Sequence, residues 1–466
     1  MANYDVIFIG GGPAGYTGAI RAGQLGLNVA CVEYRGTLGG TCLNVGCIPS
    51  KALLQSSEVF HHAQHKSAEH GVKFSKVEFD IAQMMKRKDG IVSSLTKGIE
   101  GLFKKNKVTY IKGKGTFVNA NTISVAKADG GTEEHTAKSF VISTGSVPIE
   151  LKAIAPFDGK DIVSSTEALC FEKVPEHLVV IGAGVIGLEM GSVWLRLGAK
   201  VSVIEAQDRV LPPMDGAVSA EMKKILEKQG MEFHLTTKLV KAEKAGKKVN
   251  VSAEKDGKPV TLECDKVLVA VGRRAYTEGL GLDKVGLAPR KDGKLDTDGH
   301  YQTAVPHIYA VGDVVDGPML AHKADEEGVA VAEIIAGKPG HVNYEAIPNV
   351  VYTWPEVASV GMTEEEAKAK GLKYRVGKIP FMANGRARAF GETDGFVKII
   401  ADEKTDRIIG GHIIGPNASE LIAELVIGVE FSASSEDIAR SSHAHPTLAE
   451  VMKEAALAVD KRSLNF

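Results

Sequence analysis

Val6-Ile7-Phe8-Ile9-Gly10-Gly11-Gly12-Pro13-Ala14-Gly15 stands near the start of the chain and decides how its first domain folds. The apolar run is short and largely β-branched. It stops at glycine and passes into a helix-period stretch over 16–25, which reads as strand, tight turn and helix. Residues 27–33 then read as a second strand. Such a βαβ unit requires a parallel crossover, so a doubly wound α/β sheet is predicted.

The same grammar returns in an apolar run over 178–181, the loop Gly182-Ala183-Gly184-Val185-Ile186-Gly187, a helical 188–197 and a strand over 201–205. Gly10 stands 23 residues before Glu33, and Gly182 stands 23 before Glu205. Matched spacing argues for two dinucleotide sites on two Rossmann-like domains. Polar, Gly- and Lys-rich stretches over 108–126 and 249–261 read as hairpin insertions. Each returns to a strand ending in glycine, over 140–146 and 267–273, which places domain joints near 147 and 274. Beyond about 345 the pattern becomes antiparallel, with strands over 350–352, 396–400 and 408–413 and helices near 418–431 and 447–458. That is an α+β unit without a glycine loop.

Lys and Arg number 56 against 58 Asp and Glu, a balance that gives no electrostatic reason to expect nucleic acid or a membrane surface as partner. No window approaches the roughly 20 apolar residues of a membrane helix. The N-terminal residues lack signal-peptide order, so a cytoplasmic chain is expected, or a mitochondrial-matrix one after removal of a presequence. Five cysteines cannot form a disulfide scaffold, and their odd count leaves at least one thiol, which fits a reducing compartment.

Gly12 and Gly184 would let a pyrophosphate approach the backbone at a helix N-terminus, where uncapped N–H groups and the helix dipole favour negative charge. Glu33 and Glu205 would each accept a ribose hydroxyl. A carboxylate at 205 repels a 2′-phosphate, and Ala206 and Gln207 bring no compensating charge, so NAD is favoured over NADP, with Arg209 the one neighbouring cation. In Gly39-Gly40-Thr41-Cys42-Leu43-Asn44-Val45-Gly46-Cys47-Ile48-Pro49-Ser50-Lys51 two cysteines lie five apart at the predicted start of a helix. That spacing suits a redox-active disulfide better than a zinc knuckle, so no metal is expected. His445 and Glu450, flanking Pro446, could form an acid-base pair that serves such a thiol site. Cys31, Cys170 and Cys264 read as inert core thiols. His61, His62, His65 and His70 read as a solvated helix face, and the lysines from 238 to 248 as loop charges.

These motifs, together with the stretch from Thr303 through Gly312-Asp313, closely resemble the pyridine nucleotide-disulfide oxidoreductases over the whole chain. The resemblance implies an FAD-binding domain (1–147), an NAD-binding domain (148–274), a central segment completing the FAD site (275–344) and a dimerisation domain (345–466). It implies FAD contacts at Gly10, Gly12, Gly15, Glu33, Lys51, Gly115, Thr144, Gly145, Ser146, Asp313, Met319, Leu320, Ala321 and His322. NAD would be lined by Gly182, Gly184, Gly187, Glu189, Glu205, Val240 and Gly272. The implied catalytic set is Cys42 and Cys47 with His445 and Glu450 reaching over from the partner subunit of a homodimer. The implied reaction is oxidation of protein-bound dihydrolipoamide with reduction of NAD. The partners would be lipoyl-bearing proteins of 2-oxo acid dehydrogenase or glycine cleavage complexes.

Overall fold

Both faces of the first strand are buried, which explains its unbroken apolar run. Val6 and Phe8 pack with Cys31, Ile99 and Phe103 on one side, while Ile7 and Ile9 pack with Phe117, Phe140 and Ile142 on the other. The structure, a computed structural model, describes residues 3–466. They form two compact units, each built from separated stretches of chain.

Unit 1 comprises the residues up to Ala52, then Ala82–Ile149 and Gly272–Tyr344. Its sheet runs in the order Thr109–Lys112, Val29–Glu33, Asn3–Ile9, Thr132–Ile142, Thr122–Ala126, Lys114–Asn119, and Ile308–Ala310 also pairs with Thr132–Ile142. The pairings among the first four strands and with Ile308–Ala310 are parallel, and the last two strands add an antiparallel hairpin. Thr109–Lys112 therefore belongs to the main sheet, and the predicted insertion over 108–126 is narrower than expected. Helix Pro13–Gln24 crosses helix Ala321–Ile335 so closely that a Cβ on Gly328 would lie 2.3 Å from the Ala14 carbonyl oxygen. Only glycine admits that approach.

Unit 2 comprises Leu53–Ile81, Glu150–Val271 and Glu345–Phe466. It holds a parallel sheet ordered Glu232–His234, Lys200–Ile204, His177–Ile181, Lys266–Val269, Ile162–Val163. An antiparallel sheet of Thr237–Ala245, Lys248–Lys255 and Lys258–Cys264 stands beside it in sequence. The lysines over 238–248 thus lie on a strand and its hairpin turn rather than in a loop. Leu239 and Ala242 turn inward, most of the charged side chains face water, and Lys244 and Lys248 pair with Asp161 and Asp265. A second antiparallel sheet is ordered Asn349–Val351, Glu356–Gly361, Ile408–Gly415, Phe396–Asp402, Tyr374–Pro380, with helices Ala418–Glu430 and Glu450–Val459 packed on it. The strands Glu356–Gly361 and Tyr374–Pro380 were not anticipated, and the last helix begins at Glu450 rather than Thr447. Cys31 and Cys264 are core thiols as expected, but Cys170 is exposed, because it lies in the turn after the short helix Ser165–Ala168, between the buried Leu169 and Phe171. His62 is also less solvated than expected: its ring packs edge-on against Trp354 at 5.8 Å.

Candidate active site

Two glycine loops meet two acids in the same geometry. The Gly11 N–H donates to Glu33 Oε2 at 2.9 Å and the Arg35 N–H to Oε1 at 2.8 Å. In the second copy the Ala183 N–H donates to Glu205 Oε2 and the Gln207 N–H to Oε1, both at 2.8 Å. Gly10 (φ +111) and Gly182 (φ +103) run so close to the neighbouring strand that a Cβ would lie 2.3 Å from the Ser143 oxygen and 2.5 Å from the Ala270 oxygen. Gly15 and Gly187 are pressed against the loop itself, each with its would-be Cβ within 2.2 Å of the first glycine's carbonyl oxygen. Gly12 and Gly184 differ from these four. They are extended, nothing crowds them closer than 3.7 Å, and the helices they open have no side-chain cap. An open backbone at an uncapped helix start, with a carboxylate alongside, fits the pyrophosphate and ribose of a dinucleotide.

Unit 1 brings together the whole set read as the flavin site. Lys51 lies one turn into helix Cys47–His65, and Gly115 lies in strand Lys114–Asn119 with Ile9 packed against it. Thr144 Oγ1 donates to the Tyr276 carbonyl at 2.5 Å, and Gly145 (φ +70) accepts the Tyr276 N–H at 2.8 Å. The Ser146 hydroxyl donates to Asp313. Met319 and Leu320 lead into helix Ala321–Ile335, whose first turn carries Ala321 and His322. Gly182, Gly184, Gly187, Glu189, Glu205 and Val240 all belong to unit 2, whereas Gly272 is the first residue of the returning stretch of unit 1. Val240 sits at a register shift in its strand and is 53% exposed.

Cys42 lies on helix Gly40–Val45 and Cys47 opens the next helix, so the intervening Gly46 turns the chain between them. Both are thiols here, and Cys42 is hydrogen-bonded to Cys47. That bond, with burial and the charge of Asp325, pushes the Cys42 thiol well above its ordinary value, against the pull of Lys51. In unit 2, His445 Nδ1 meets Glu450 Oε1 at 2.8 Å, and Glu450 Oε2 accepts the Thr447 N–H at 2.8 Å. Burial opposes the charge on Glu450, but the Thr447 N–H and His445 outweigh it and hold the carboxyl below its usual range. The His445 side chain is 80% exposed, which leaves its Nε2 edge to solvent. Among the described residues no group of three or more His, Cys, Asp or Glu could hold a metal ion.

Arg273 joins the candidate set from the structure alone. Its Nε donates to Ser146 Oγ at 2.8 Å and its Nη2 to the Ser146 carbonyl at 2.7 Å, which aims the hydroxyl bound to Asp313. An arginine at a strand end carries no sequence signal for such a role.

Residues 4–328 match the family model of pyridine nucleotide-disulphide oxidoreductases, and residues 347–456 match the dimerisation domain of the same enzymes. The chain belongs to this family. It is 54% identical to mitochondrial dihydrolipoyl dehydrogenase 1 of Arabidopsis thaliana over 99% of its own length and 91% of that protein. It is equally 54% identical to dihydrolipoyl dehydrogenase of Cupriavidus necator, over 99% of both chains. The crystal structure of LpdA from Mycobacterium tuberculosis superposes with a TM-score of 0.90 at 27% identity, covering 98% of this chain and 99% of that one. The chain is an oxidoreductase of this flavin- and NAD-dependent class, with FAD and NAD as its cofactors.

Proposed function

We propose that the chain oxidises protein-bound dihydrolipoamide to lipoamide at Cys42 and Cys47 and reduces NAD, working as a homodimer. The observation that carries this reading is the hydrogen-bonded thiol pair at a helix start, in the unit that also carries the Gly10–Gly15 loop. The names of the two relatives support dihydrolipoamide as the substrate.

In the oxidised enzyme Cys42 and Cys47 form a disulfide. His445 of the partner subunit, held in one tautomer by its carboxylate neighbour, takes the proton of a substrate thiol. The resulting thiolate attacks Cys42 Sγ and displaces Cys47 as a thiolate. The second substrate thiol then attacks the mixed disulfide, frees Cys42 and closes the lipoamide ring. FAD, when bound, would supply the two-electron chemistry that couples the dithiol to NAD. Gly12 and Glu33 would hold the flavin nucleotide, and Ser146, Asp313 and Arg273 would orient its polar parts. Gly184 and Glu205 would hold NAD. Arg209 is engaged with Asp208 and Glu365, which supports NAD over NADP.

No helix among the described residues is long and apolar enough to cross a membrane. We assign the lipoyl-bearing partners to the 2-oxo acid dehydrogenase or glycine cleavage complexes on the chemistry of the substrate alone. The decisive test is anaerobic titration of the purified protein with dihydrolipoamide. Bleaching of a yellow chromophore with a new long-wavelength band, followed by NADH on adding NAD, is expected. A protein that stays unbleached would end this reading.

A further inference from the structure

The two peptide groups that flank the Gly312 Cα are clamped by a charged pair that solvent does not reach. Glu327 Oε2 accepts the Gly312 N–H at 2.6 Å, and Lys323 Nζ donates to the Gly312 carbonyl at 3.0 Å. The two side chains also pair with each other at 3.0 Å, and both are 0% exposed. They stand four residues apart on helix Ala321–Ile335, and the Tyr344 hydroxyl donates to the remaining Glu327 oxygen at 2.7 Å. Burial raises the Glu327 carboxyl above its usual range, in spite of these partners.

A fully buried ion pair is a poor source of stability, because desolvation consumes most of its Coulomb attraction. What this pair does achieve is local. Gly312 sits at φ +78, and the next residue is Asp313, whose carboxylate takes the Ser146 hydroxyl that Arg273 also grips. Fixing the two peptide groups that flank the Gly312 Cα fixes where the Asp313 backbone stands, and the Ser146 hydroxyl then takes its carboxylate.

We infer that Lys323 and Glu327 are positioning residues for the flavin: they lock the backbone turn at Gly312 so that Asp313 and Ser146 present one preset arrangement to the polar part of FAD. The inference rests on the reading that unit 1 binds FAD. It separates two roles that are otherwise hard to tell apart, since a pair serving only the fold can be exchanged for apolar side chains of similar volume without loss to the ligand.

The holoenzyme variant Lys323→Met/Glu327→Leu removes both charges together and leaves neither stranded. Thermal unfolding followed by circular dichroism and FAD release followed by the rise of flavin fluorescence on dilution are measured side by side. Release is expected to be at least about tenfold easier than in the wild type, about 1.4 kcal/mol, while the unfolding transition is kept. Wild-type FAD retention in this variant overturns the inference. Should the double variant not fold, Lys323→Met/Glu327→Gln decides, because the glutamine keeps an acceptor for the Gly312 N–H and loses only the lysine clamp. Its FAD release is expected to be faster than wild type, and equality overturns the inference. A wild-type protein that holds no flavin overturns the functional reading itself, an outcome distinct from either variant result.

Discussion

The Cys42 thiol is pushed above its ordinary range by its neighbour Cys47, by burial and by the charge of Asp325. On the proposed scheme the two sulfurs are unequal, one exchanging with substrate and the other handing electrons on. Cys42→Ser is therefore expected to abolish NAD reduction by dihydrolipoamide while NADH still reduces an artificial electron acceptor through the flavin. A steady-state assay of both activities on one preparation checks this, and surviving dihydrolipoamide turnover would refute the role of Cys42. His445→Gln is expected to lower kcat for dihydrolipoamide by roughly 10²–10⁴, the range for a positioned proton-transfer group. Its rate with the artificial acceptor should not move. Residue-scale partners such as Arg273 and Lys323 were not legible in the sequence. In the run Ala321-His322-Lys323-Ala324-Asp325-Glu326-Glu327 nothing marks Lys323 or Glu327, and only tertiary burial against Gly312 reveals the pair as interior.

At the scale of elements, the two strand-turn-helix copies were legible, because a strand buried on both faces must be continuously apolar and a loop this tight must be glycine. The hairpin lysines misled because their strand alternates and carries a register shift between Leu239 and Lys241 that breaks the period. Gly187→Ala places a methyl 2.2 Å from the Gly182 oxygen in the second loop only. It should raise KM for NAD while the bound flavin spectrum is unchanged, and steady-state kinetics with absorbance of the purified protein would show it. The helix Cys47–His65 also carries a pH dependence. Burial, with His65 and Arg196 nearby, pushes His61 down to about 4 from an ordinary 6.5, so the folded protein keeps this ring neutral where the unfolded chain protonates it. Its contribution is complete above about pH 6.5 and is lost as pH falls toward about 4. Thermal denaturation across that window should show a steeper loss of stability in the wild type than in His61→Asn, and parallel curves would contradict the assignment.

For the molecule as a whole, the proposal that each catalytic centre draws His445 from the partner subunit has a quantitative consequence. Cys42→Ser and His445→Gln homodimers are each expected to be inactive or nearly so. A heterodimer carrying one of each contains one centre with both defects and one with neither. Unfolding and refolding an equal mixture should restore about one quarter of wild-type activity by random pairing. A mixture no more active than its parents would place the thiols and His445 of one centre on the same subunit. The residues over 345–466 by themselves say only an α+β unit without a glycine loop, and it is the family resemblance that marks this region as a dimerisation domain, since nothing in its strand pattern says which face meets another copy.

Glu33 and Glu205 each fasten a backbone turn with both oxygens. On the proposed reading one side chain serves as latch and as reader, and these duties cannot be retuned separately. An engineer who removes the carboxylate at 205 to welcome a phosphorylated coenzyme would also unfasten the turn meant to receive it. Any successful conversion must first supply a new clasp for the amides of Ala183 and Gln207.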